Sequence, residues 1–451
     1  MKKLFILLVF IIFNLQNCAY CKKLHAEYIF FENQKTSYIN LPFWESFEDK
    51  HLTNYILLAL KNNHSAKSAF YKSQQFRQDI KTAFSKQLPN LKTDFNYVGV
   101  KIPKLDNFDL TQQGIVLPFE FNWEVDLLGK NADKTKSKRS LFWSQKYDEY
   151  GTNLILASDV GTTYINILKF DKLIKIEQEQ LKNQEEIFNK NILKTNYGII
   201  SKAQLNKEQE RIFDTKIRIE NLKKNRKFLL NTLCVLIGQS AFCCEDLERS
   251  DFDDFGKNIK IPKCISTEVL YLRPDLASAL EKLKSAQIDI KIAKKEFFPS
   301  FNITGFYTFN TFGPGNFFSW ESIFAAFILG ATQDIFTGGR KLANLKFKKA
   351  RYKELLEDFL QKDLEAIKEV NDALYASKYD LNILKNAQEK LYLNNENLKF
   401  DNLKYQQGEI SLLDVLYSTN ETFETKKDLV DAKSKKFINL ISLYKASGGG
   451  I

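Results

Sequence analysis

The chain has 451 residues, a formal net charge of +11, 44% hydrophobic residues and 27% charged residues. This composition excludes an intrinsically disordered chain and a multi-span helical membrane protein, and the length suits two or three domains. Only 8 prolines are present and none lies within residues 119–261 or 315–451, which permits very long helices and argues against a loop-rich enzyme.

The N-terminus has the organisation of an export signal. Lys2 and Lys3 precede an apolar run over residues 4–13. This run is too short to cross a bilayer as a helix, which takes about 20 residues, but it matches the core of a secretory signal. We therefore predict a signal peptide over residues 1–17. The sequence Leu15-Gln16-Asn17-Cys18 resembles a bacterial lipobox, which predicts a lipid on Cys18, with ordinary cleavage around Cys21 as the alternative.

The sequence after residue 118 predicts a strand with two different faces. From Phe119 to Leu127, large apolar side chains alternate with Glu120, Asn122, Glu124 and Asp126. In a soluble sandwich the apolar face would meet a core, whereas in a membrane barrel it would meet lipid and the acids would meet a wet lumen. A lumen face explains these acids better than a pair of catalytic carboxylates. Strands are predicted over residues 91–100, 116–127, 300–309 and 322–336.

These four predicted strands require partners from other chains. Each is about as long as the 9–11 residues that a membrane-spanning strand needs. Four strands are too few to close a barrel, and an open sheet edge cannot face lipid. The strand count therefore predicts an oligomer, in which three chains would supply about twelve strands.

Long helical hairpins are predicted over residues 130–236 and 338–446. A seven-residue step keeps one apolar seam on one side of a supercoiled helix. Gly198 in the first hairpin and Gly408 in the second mark the turn between the two helices. A helix over residues 130–194 would be about 100 Å long. The recurring positions in the second hairpin are Leu416, Phe423, Val430, Phe437 and Tyr444.

The two halves of the chain repeat one pattern. A separation of 210 residues joins Pro89 to Pro299, Gly198 to Gly408, and Gly238 to Gly448. This separation is a whole number of heptads, so the duplication preserves helical phase. It predicts a tandem repeat, with a first repeat over residues 18–240, a linker over 241–264 and a second repeat over 265–451.

Several segments carry recognisable motifs in a fixed order. Residues 272–276 read Leu-Arg-Pro-Asp-Leu and lead to Phe-Phe-Pro-Ser at residues 297–300. Residues 334–340 contain a Thr-Gly-Gly-Arg turn, residues 405–416 surround Gly408, and residues 443–446 read Leu-Tyr-Lys-Ala. Together these motifs resemble the TolC-like outer-membrane efflux channels, and most closely the lipoprotein outer-membrane factors of resistance–nodulation–division drug pumps. The resemblance covers nearly the whole mature chain.

The resemblance implies a mainly α-helical protein with a β-barrel part. It implies a homotrimer in which a 12-stranded barrel in the outer membrane continues into a 12-helix barrel across the periplasm. A periplasmic adaptor would join this channel to an inner-membrane pump of the resistance–nodulation–division type. The implied function is a passive exit duct for drugs or toxic small molecules, without catalysis or cofactor. An outer-membrane duct for type I protein secretion is the alternative within the same fold.

The resemblance places the functional residues at the tips of the two hairpins. The implied gate consists of Leu413, Asp414 and Tyr417. Tyr417 stands where family members place a second carboxylate, so an apolar or aromatic closure competes with a carboxylate ring. A third interpretation is that Asp414 caps the helix after Gly408. The implied adaptor contacts are Tyr197, Gly198, Ile199 and Ser201 in the first tip and Gln407, Gly408, Glu409 and Ser411 in the second.

The remaining chemistry-bearing residues predict no catalytic or metal site. The three histidines lack metal-ligand spacing, no hydrolase or nucleotide motif is present, and the dispersed charge argues against a nucleic-acid partner. Cys234 is predicted to be a buried hydrophobe, and export permits a disulfide from Cys264 to Cys243 or Cys244. A trimeric coiled-coil surface protein and a periplasmic enzyme are rival classes, but the first lacks paired strands and the second lacks a catalytic site.

Overall fold

The structure is a computed structural model that describes residues 39–105, 108–241, 247–257, 259, 273–311 and 317–450. The chain divides into two units, residues 1–40 and 41–451, and all that follows concerns the second unit. Within the described residues no helix is both long enough and apolar enough to span a bilayer.

After two short helices near the N-terminus, the secondary structure runs in the same order through both halves of the chain. The first half contains α1 (Leu41–Glu45), α2 (Lys50–Asn62), α3 (His64–Ser85), β1 (Asn90–Thr93), β2 (Asn96–Leu105), β3 (Phe108–Val125), α4 (Lys130–Asn196) and α5 (Lys202–Leu236). The second half contains α6 (Pro274–Lys295), β4 (Ser300–Asn310), β5 (Ile323–Thr332), α7 (Arg340–Gln406) and α8 (Leu412–Ala446).

The helices of the two halves match in length and in position. Helices α3 and α6 have 22 residues each, α4 and α7 have 67 each, and α5 and α8 have 35 each. Each helix of the second half begins 210 residues after its counterpart. The two halves are therefore two copies of one structural pattern, and a helix of this longest class extends about 100 Å.

The strands form one antiparallel sheet with the order β1-β3-β4-β5, and β2 also pairs with β3. Thr93 of β1 lies opposite Phe119, and Asn96 of β2 lies opposite Val116. Strands β1 and β2 are therefore two segments of one path along β3, and the sheet is four strands wide. Its two edges are the β1–β2 path and β5.

The largest differences from the predicted strand boundaries lie at three places. β2 continues beyond residue 100 and β3 begins before residue 116, because the two strands stay paired as far as Leu105 and Phe108. The ladder is irregular between Ile102 and Leu105, where Pro103 has no N–H to donate. At the other end of the sheet, β5 stops at Thr332 instead of residue 336, since the chain turns there toward α7.

The sheet has one apolar face and one mainly polar face. On the apolar face Phe119 lies opposite Tyr307, and Trp123 lies opposite Ile303. On the other face Asn122 lies opposite Thr304, and Glu124 lies opposite Asn302. The alternation read from the sequence is thus preserved in the paired strands, as the two-residue period requires.

Helix α4 is the central element of the helical part. Near the sheet it lies between α3 and α6, and α7 packs on the far side of α6. Toward the hairpin tips it lies between α5 and α8, and α7 packs on the far side of α8. Helix α7 therefore forms one edge of the helical layer. The other edge is formed by α3 near the sheet and by α5 toward the hairpin tips.

The core lies beside the middle of α4, where α1 packs against the end of α8. Trp44 is fully buried, and its ring centroid lies 5.3 Å from that of Tyr444. Gly161 of α4 provides the space for the indole, because a Cβ at that position would come within 2.6 Å of Trp44. Nearby, the hydroxyl of Tyr164 donates to Asp49 Oδ2 at 2.8 Å, and burial raises the pKa of Tyr164.

Part of the predicted linker over residues 241–264 is packed against α4. Arg249 binds Asp171 of α4, and Lys175 binds Asp251 at 2.8 Å. The segment and α4 each contribute one cation and one anion to these two ion pairs, which hold the segment against α4. Phe255 of the same segment is buried against Phe437.

The interpretation of Cys234 as a simple buried hydrophobe was wrong. Cys234 is fully buried, as expected, but it is disulfide-bonded. Its bonding partner lies outside the described residues. The predicted disulfide from Cys264 to Cys243 or Cys244 also lies outside them, as do the signal peptide and Cys18.

Candidate functional site at the hairpin tips

The two hairpin tips are tight turns built around glycines. Gly198 and Gly408 adopt φ values of +72° and +79°, which side chains other than glycine rarely tolerate. Past each glycine the chain bonds back to the helix it has left: Ile199 donates to the Lys194 carbonyl and Glu409 to the Lys404 carbonyl, both at 2.9 Å. This is the 6→1 bond of a Schellman helix end.

All eight predicted adaptor-contact residues are exposed in these two turns. Tyr197 is 82% exposed and Ile199 is 66% exposed, so the first tip presents two large apolar groups to solvent. Ser201 and Ser411 cap the helices that follow, through the backbone N–H of Gln204 and Asp414. The turns thus form two similar protruding surfaces, one from each half of the chain.

Asp414 takes part in a capping box with Ser411. Its carboxylate oxygen Oδ2 accepts hydrogen bonds from the Ser411 backbone N–H at 2.9 Å and from the Ser411 hydroxyl at 2.7 Å. These two bonds hold the pKa of Asp414 below its ordinary value. The capping interpretation of Asp414 therefore has a direct geometric basis, and the residue is also exposed.

Leu413 points the other way from Asp414. It is buried, with only 6% of its surface exposed, and packs with Ile187 of α4 and Leu416 of α8. In the protomer it therefore holds α8 against α4. The structure does not bring Leu413 and Asp414 together on one surface.

Tyr417 connects three helices close to the tips. Its hydroxyl donates to Glu208 Oε1 of α5 at 3.2 Å and accepts from Asn191 Nδ2 of α4 at 3.2 Å. Burial raises the pKa of Tyr417. Arg211 in turn donates to Glu208 at 3.2 Å. The sequence did not predict a role for Asn191, Glu208 or Arg211. No local sequence pattern indicates a contact such as that between Tyr417 and Glu208, which are 209 residues apart.

A groove between α7 and α8 runs beside Asp414. Its volume is about 750 Å³. Carboxylates outnumber cations along it, which gives this side of the second tip an acidic surface. The charged residues that line it are Asp401, Lys404, Glu409, Asp414 and Glu421.

Replacing Asp414 by alanine tests whether the residue is a cap or a gate. As a cap its loss is expected to cost about 0.5–1 kcal/mol of stability. Because the folded pKa is depressed, this stabilisation is present above a pH of about 4 and is lost as the pH falls through the folded pKa. Urea unfolding at pH 7 and pH 3 measures both effects. A rise in resting ion conductance of Asp414→Ala in a planar bilayer would instead support a gate.

Known proteins resemble the chain over nearly its whole length. The family model for outer membrane efflux proteins matches it twice, over residues 56–239 and 265–449. The cation efflux system protein CusC of Escherichia coli (strain K12) is 25% identical over 423 residues, covering 93% of this chain and 91% of CusC. The probable outer membrane lipoprotein SilC of Salmonella typhimurium is 24% identical, covering 92% and 89% of the two chains.

A solved structure has the same fold. The Campylobacter jejuni CmeC outer membrane channel matches with a TM-score of 0.82 at 24% identity, covering 92% of this chain and 89% of CmeC. The two family matches include both hairpin tips and together span most of the sequence. The chain therefore belongs to the outer membrane efflux protein family, and it is an outer-membrane channel component of an efflux pump with a large periplasmic part.

Proposed function

We propose that three copies of the chain form a passive exit duct for drugs or other toxic small molecules. The duct would be a 12-stranded β-barrel that continues into a 12-helix barrel. The observation that carries this proposal is that the sheet of one protomer has two open edges, β1–β2 and β5. An open edge cannot face lipid, so each edge strand needs a strand from another copy. Three sheets of this width would supply about twelve strands.

Exposed apolar side chains on the edge helices support the same assembly. Leu364 and Tyr379 of α7 are 64% and 60% exposed, and Ile217 and Phe228 of α5 are each 60% exposed. Apolar surface in such quantity along a helix marks an interaction surface. A second copy fits it, because α5 of one protomer would lie beside α7 of the next in a closed ring.

The gate is proposed to close at the second tip. Tyr417 ties α8 to α5 and α4, and breaking its bond to Glu208 would free the tip to move outward. Asp414 would add negative charge at the entrance, where three copies meet near one axis. Leu413, being buried against Ile187, would act indirectly by holding α8 in the closed position.

The two glycine turns are proposed to receive a periplasmic adaptor. The residues that would bind it are exposed in both repeats: Tyr197, Gly198, Ile199 and Ser201 in the first, and Gln407, Gly408, Glu409 and Ser411 in the second. The adaptor would connect the duct to an inner-membrane pump of the resistance–nodulation–division type, which would supply the energy. The name of CusC specifies cation efflux, and toxic cations are included in the proposed cargo class.

A lipid on Cys18 is proposed to anchor the N-terminus in the outer membrane. The lipobox-like sequence before Cys18 supports this proposal, as does the description of SilC as a probable lipoprotein. Intact-mass measurement of the purified wild type and Cys18→Ser tests it. A mass difference equal to the serine substitution alone would argue against the lipid.

Mild crosslinking in cells, followed by purification through a C-terminal tag, tests the proposed partners. An adaptor and a proton-driven pump are expected to co-purify. Glu409→Lys, which reverses an exposed charge in the second tip, is expected to reduce adaptor recovery. Glu220→Lys is the matched control, because Glu220 is exposed on α5 at a distance from the tip.

Two results would contradict the proposed partners. Recovery of an ATP-binding exporter with a protein cargo would assign the duct to protein secretion. Equal loss of adaptor in Glu409→Lys and Glu220→Lys would show that the tip has no special part in adaptor binding.

A further inference from the structure

A buried ion cluster joins α4, α5 and α8 above the tips. Glu177 of α4 is only 3% exposed. Its Oε1 accepts from Arg218 Nε of α5 at 3.2 Å and from Lys427 Nζ of α8 at 2.9 Å. One carboxylate therefore bridges two cations that belong to different hairpins.

Further hydrogen bonds fix Lys427 in this cluster. Its ammonium also donates to Gln180 Oε1 at 3.0 Å and to Glu424 Oε1 at 2.8 Å. Gln180 in turn donates to Glu424 Oε1 at 2.9 Å. Only 14% of the Lys427 side chain is exposed, so water screens these charges weakly. The acceptors Glu177 and Gln180 belong to α4, so Lys427 holds α8 to α4 at one level.

The cluster lies farther from the tips than the Tyr417 contact does. Tyr417 is six residues from the cap Ser411, or about 9 Å along the helix, whereas Lys427 is sixteen residues from it, or about 24 Å. Close to the Tyr417 level, Asn183 Nδ2 of α4 donates to the Leu416 carbonyl of α8 at 2.8 Å. Helix α8 is therefore tied to the first hairpin near the proposed gate and also at the Lys427 level, well above it.

The two levels differ in how readily they would open. The Tyr417 level depends on two hydrogen bonds of one hydroxyl, in which only the Glu208 carboxylate is charged. At the Glu177 level two cations converge on one buried carboxylate, so both partners of each bond are charged. A force applied at the tip would therefore separate Tyr417 from Glu208 before it separated Lys427 from Glu177.

We infer that Glu177 is a positioning residue of the gate: it holds α8 against α4 and α5 at a pivot, below which the tip opens. This inference rests on the proposed duct function and on the gate at Tyr417. The carboxylate does not touch the cargo. It acts through Lys427, because the position of α8 at this level sets whether Tyr417 reaches Glu208.

Neutralising Glu177 would remove the anion that joins α5 to α8. In Glu177→Gln, Arg218 would lose this carboxylate, and Lys427 would keep Glu424 of its own helix as its charged partner. Removing one partner of a buried ion pair is strongly destabilising. Helix α8 would then move away from α5, and Tyr417 would lose its bond to Glu208. Removing Lys427 as well would take the second cation out of the cluster.

Single-channel recording in planar bilayers tests the inference. Glu177→Gln is expected to raise the open fraction about tenfold over wild type, within the usual range of coupling between sites. Glu185→Gln is the matched control, because Glu185 also lies on α4 and binds Lys216 of α5 at 3.4 Å but is 47% exposed. Its open fraction is expected to equal that of wild type.

The double variant Glu177→Gln/Lys427→Met separates positioning from a purely structural role. Because the tie from Lys427 to α4 is absent in both, the double variant is expected to match Lys427→Met alone and to be no more open than Glu177→Gln. A structural role would instead make the double variant more open or less stable than Glu177→Gln, and this result would overturn the inference. Heat-labile migration of each oligomer in gels checks that assembly is intact.

Two further outcomes are distinguishable. Wild type and Glu177→Gln that conduct with equal open fractions would overturn the positioning role and leave the duct intact. Silence of the wild type and of both variants, with intact oligomers, would contradict the proposed duct itself. If Glu177→Gln does not assemble, the variant Lys427→Met is used alone. It leaves Glu177 paired with Arg218 but should release α8, so its open fraction is expected to exceed that of wild type. An open fraction equal to wild type would overturn the inference.

Discussion

Replacing Trp44 by alanine is expected to lower the free energy of unfolding by about 4 kcal/mol, in the range measured for large aromatic residues in cores. The indole is completely buried between α1, α4 and α8. It packs in an edge-to-face arrangement on Tyr444 and Phe43, and it occupies the space left by Gly161. Its N–H has no hydrogen-bond partner among the residues that the structure describes, so the expected loss is one of packing.

Trp320 provides the control for this substitution. Its side chain lies in a short turn before β5 and is 64% exposed. Trp320→Ala is expected to change stability by less than about 0.5 kcal/mol, as for surface positions in general. Urea unfolding in the same detergent measures both variants. Equal losses for Trp44 and Trp320 would contradict the placement of the core beside α4.

Replacing Arg273 by methionine is expected to cost about 3 kcal/mol, because it removes a buried charge from a bonded site. Arg273 is 7% exposed at the start of α6. Its guanidinium donates to Asp275 at 2.8 Å and to the Ala446 carbonyl at 3.0 Å, and it binds Glu369 of α7 at 2.8 Å. One side chain thus joins the start of α6, the middle of α7 and the end of α8.

Arg351 provides the matched control for Arg273. It lies on α7 and pairs with Glu354 one turn away, with about half of its side chain exposed. Exposed pairs of this kind contribute about 0.3–0.5 kcal/mol, so Arg351→Met is expected to be nearly neutral. Thermal unfolding of both variants distinguishes them. A loss for Arg273→Met no larger than for Arg351→Met would contradict the junction described here.

The repeated architecture could be predicted because its signals are local. Gly198 and Gly408 stand where the backbone needs a positive φ, and Pro89 and Pro299 directly precede the first strand of each half. Proline-free stretches leave the long helices unbroken. These residues determine the conformation of their own backbone, so the turns and helices that they mark can be predicted without knowledge of the fold.

The length of the β2–β3 hairpin was underestimated, and the reason is also local. Pro103 and the charged residues near it hide the two-residue alternation beyond residue 100. Pairing continues there because backbone hydrogen bonds, and not side-chain pattern, hold the strands together. A strand whose ladder skips a proline is difficult to recognise from sequence alone.

The contacts at the tips depend on the registration of helices far apart in sequence. Predicting the Tyr417–Glu208 bond and the Glu177 cluster would require the positions of α4, α5 and α8 relative to one another along their axes.

The burial of Leu413, in contrast, could have been predicted from the sequence. Leu413 lies three residues before Leu416 of the heptad seam, so the two share a helix face. That spacing favours a core position, as the structure has it.

The stoichiometry of the purified protein tests the central claim most directly. Native mass spectrometry of the detergent-solubilised outer-membrane protein is expected to give three copies of the mature chain, because the open edges of one sheet must be covered by neighbouring protomers. After heating, the same sample should yield single chains. A monomer before heating, from membranes in which the protein is correctly localised, would contradict the account of a duct formed by three protomers.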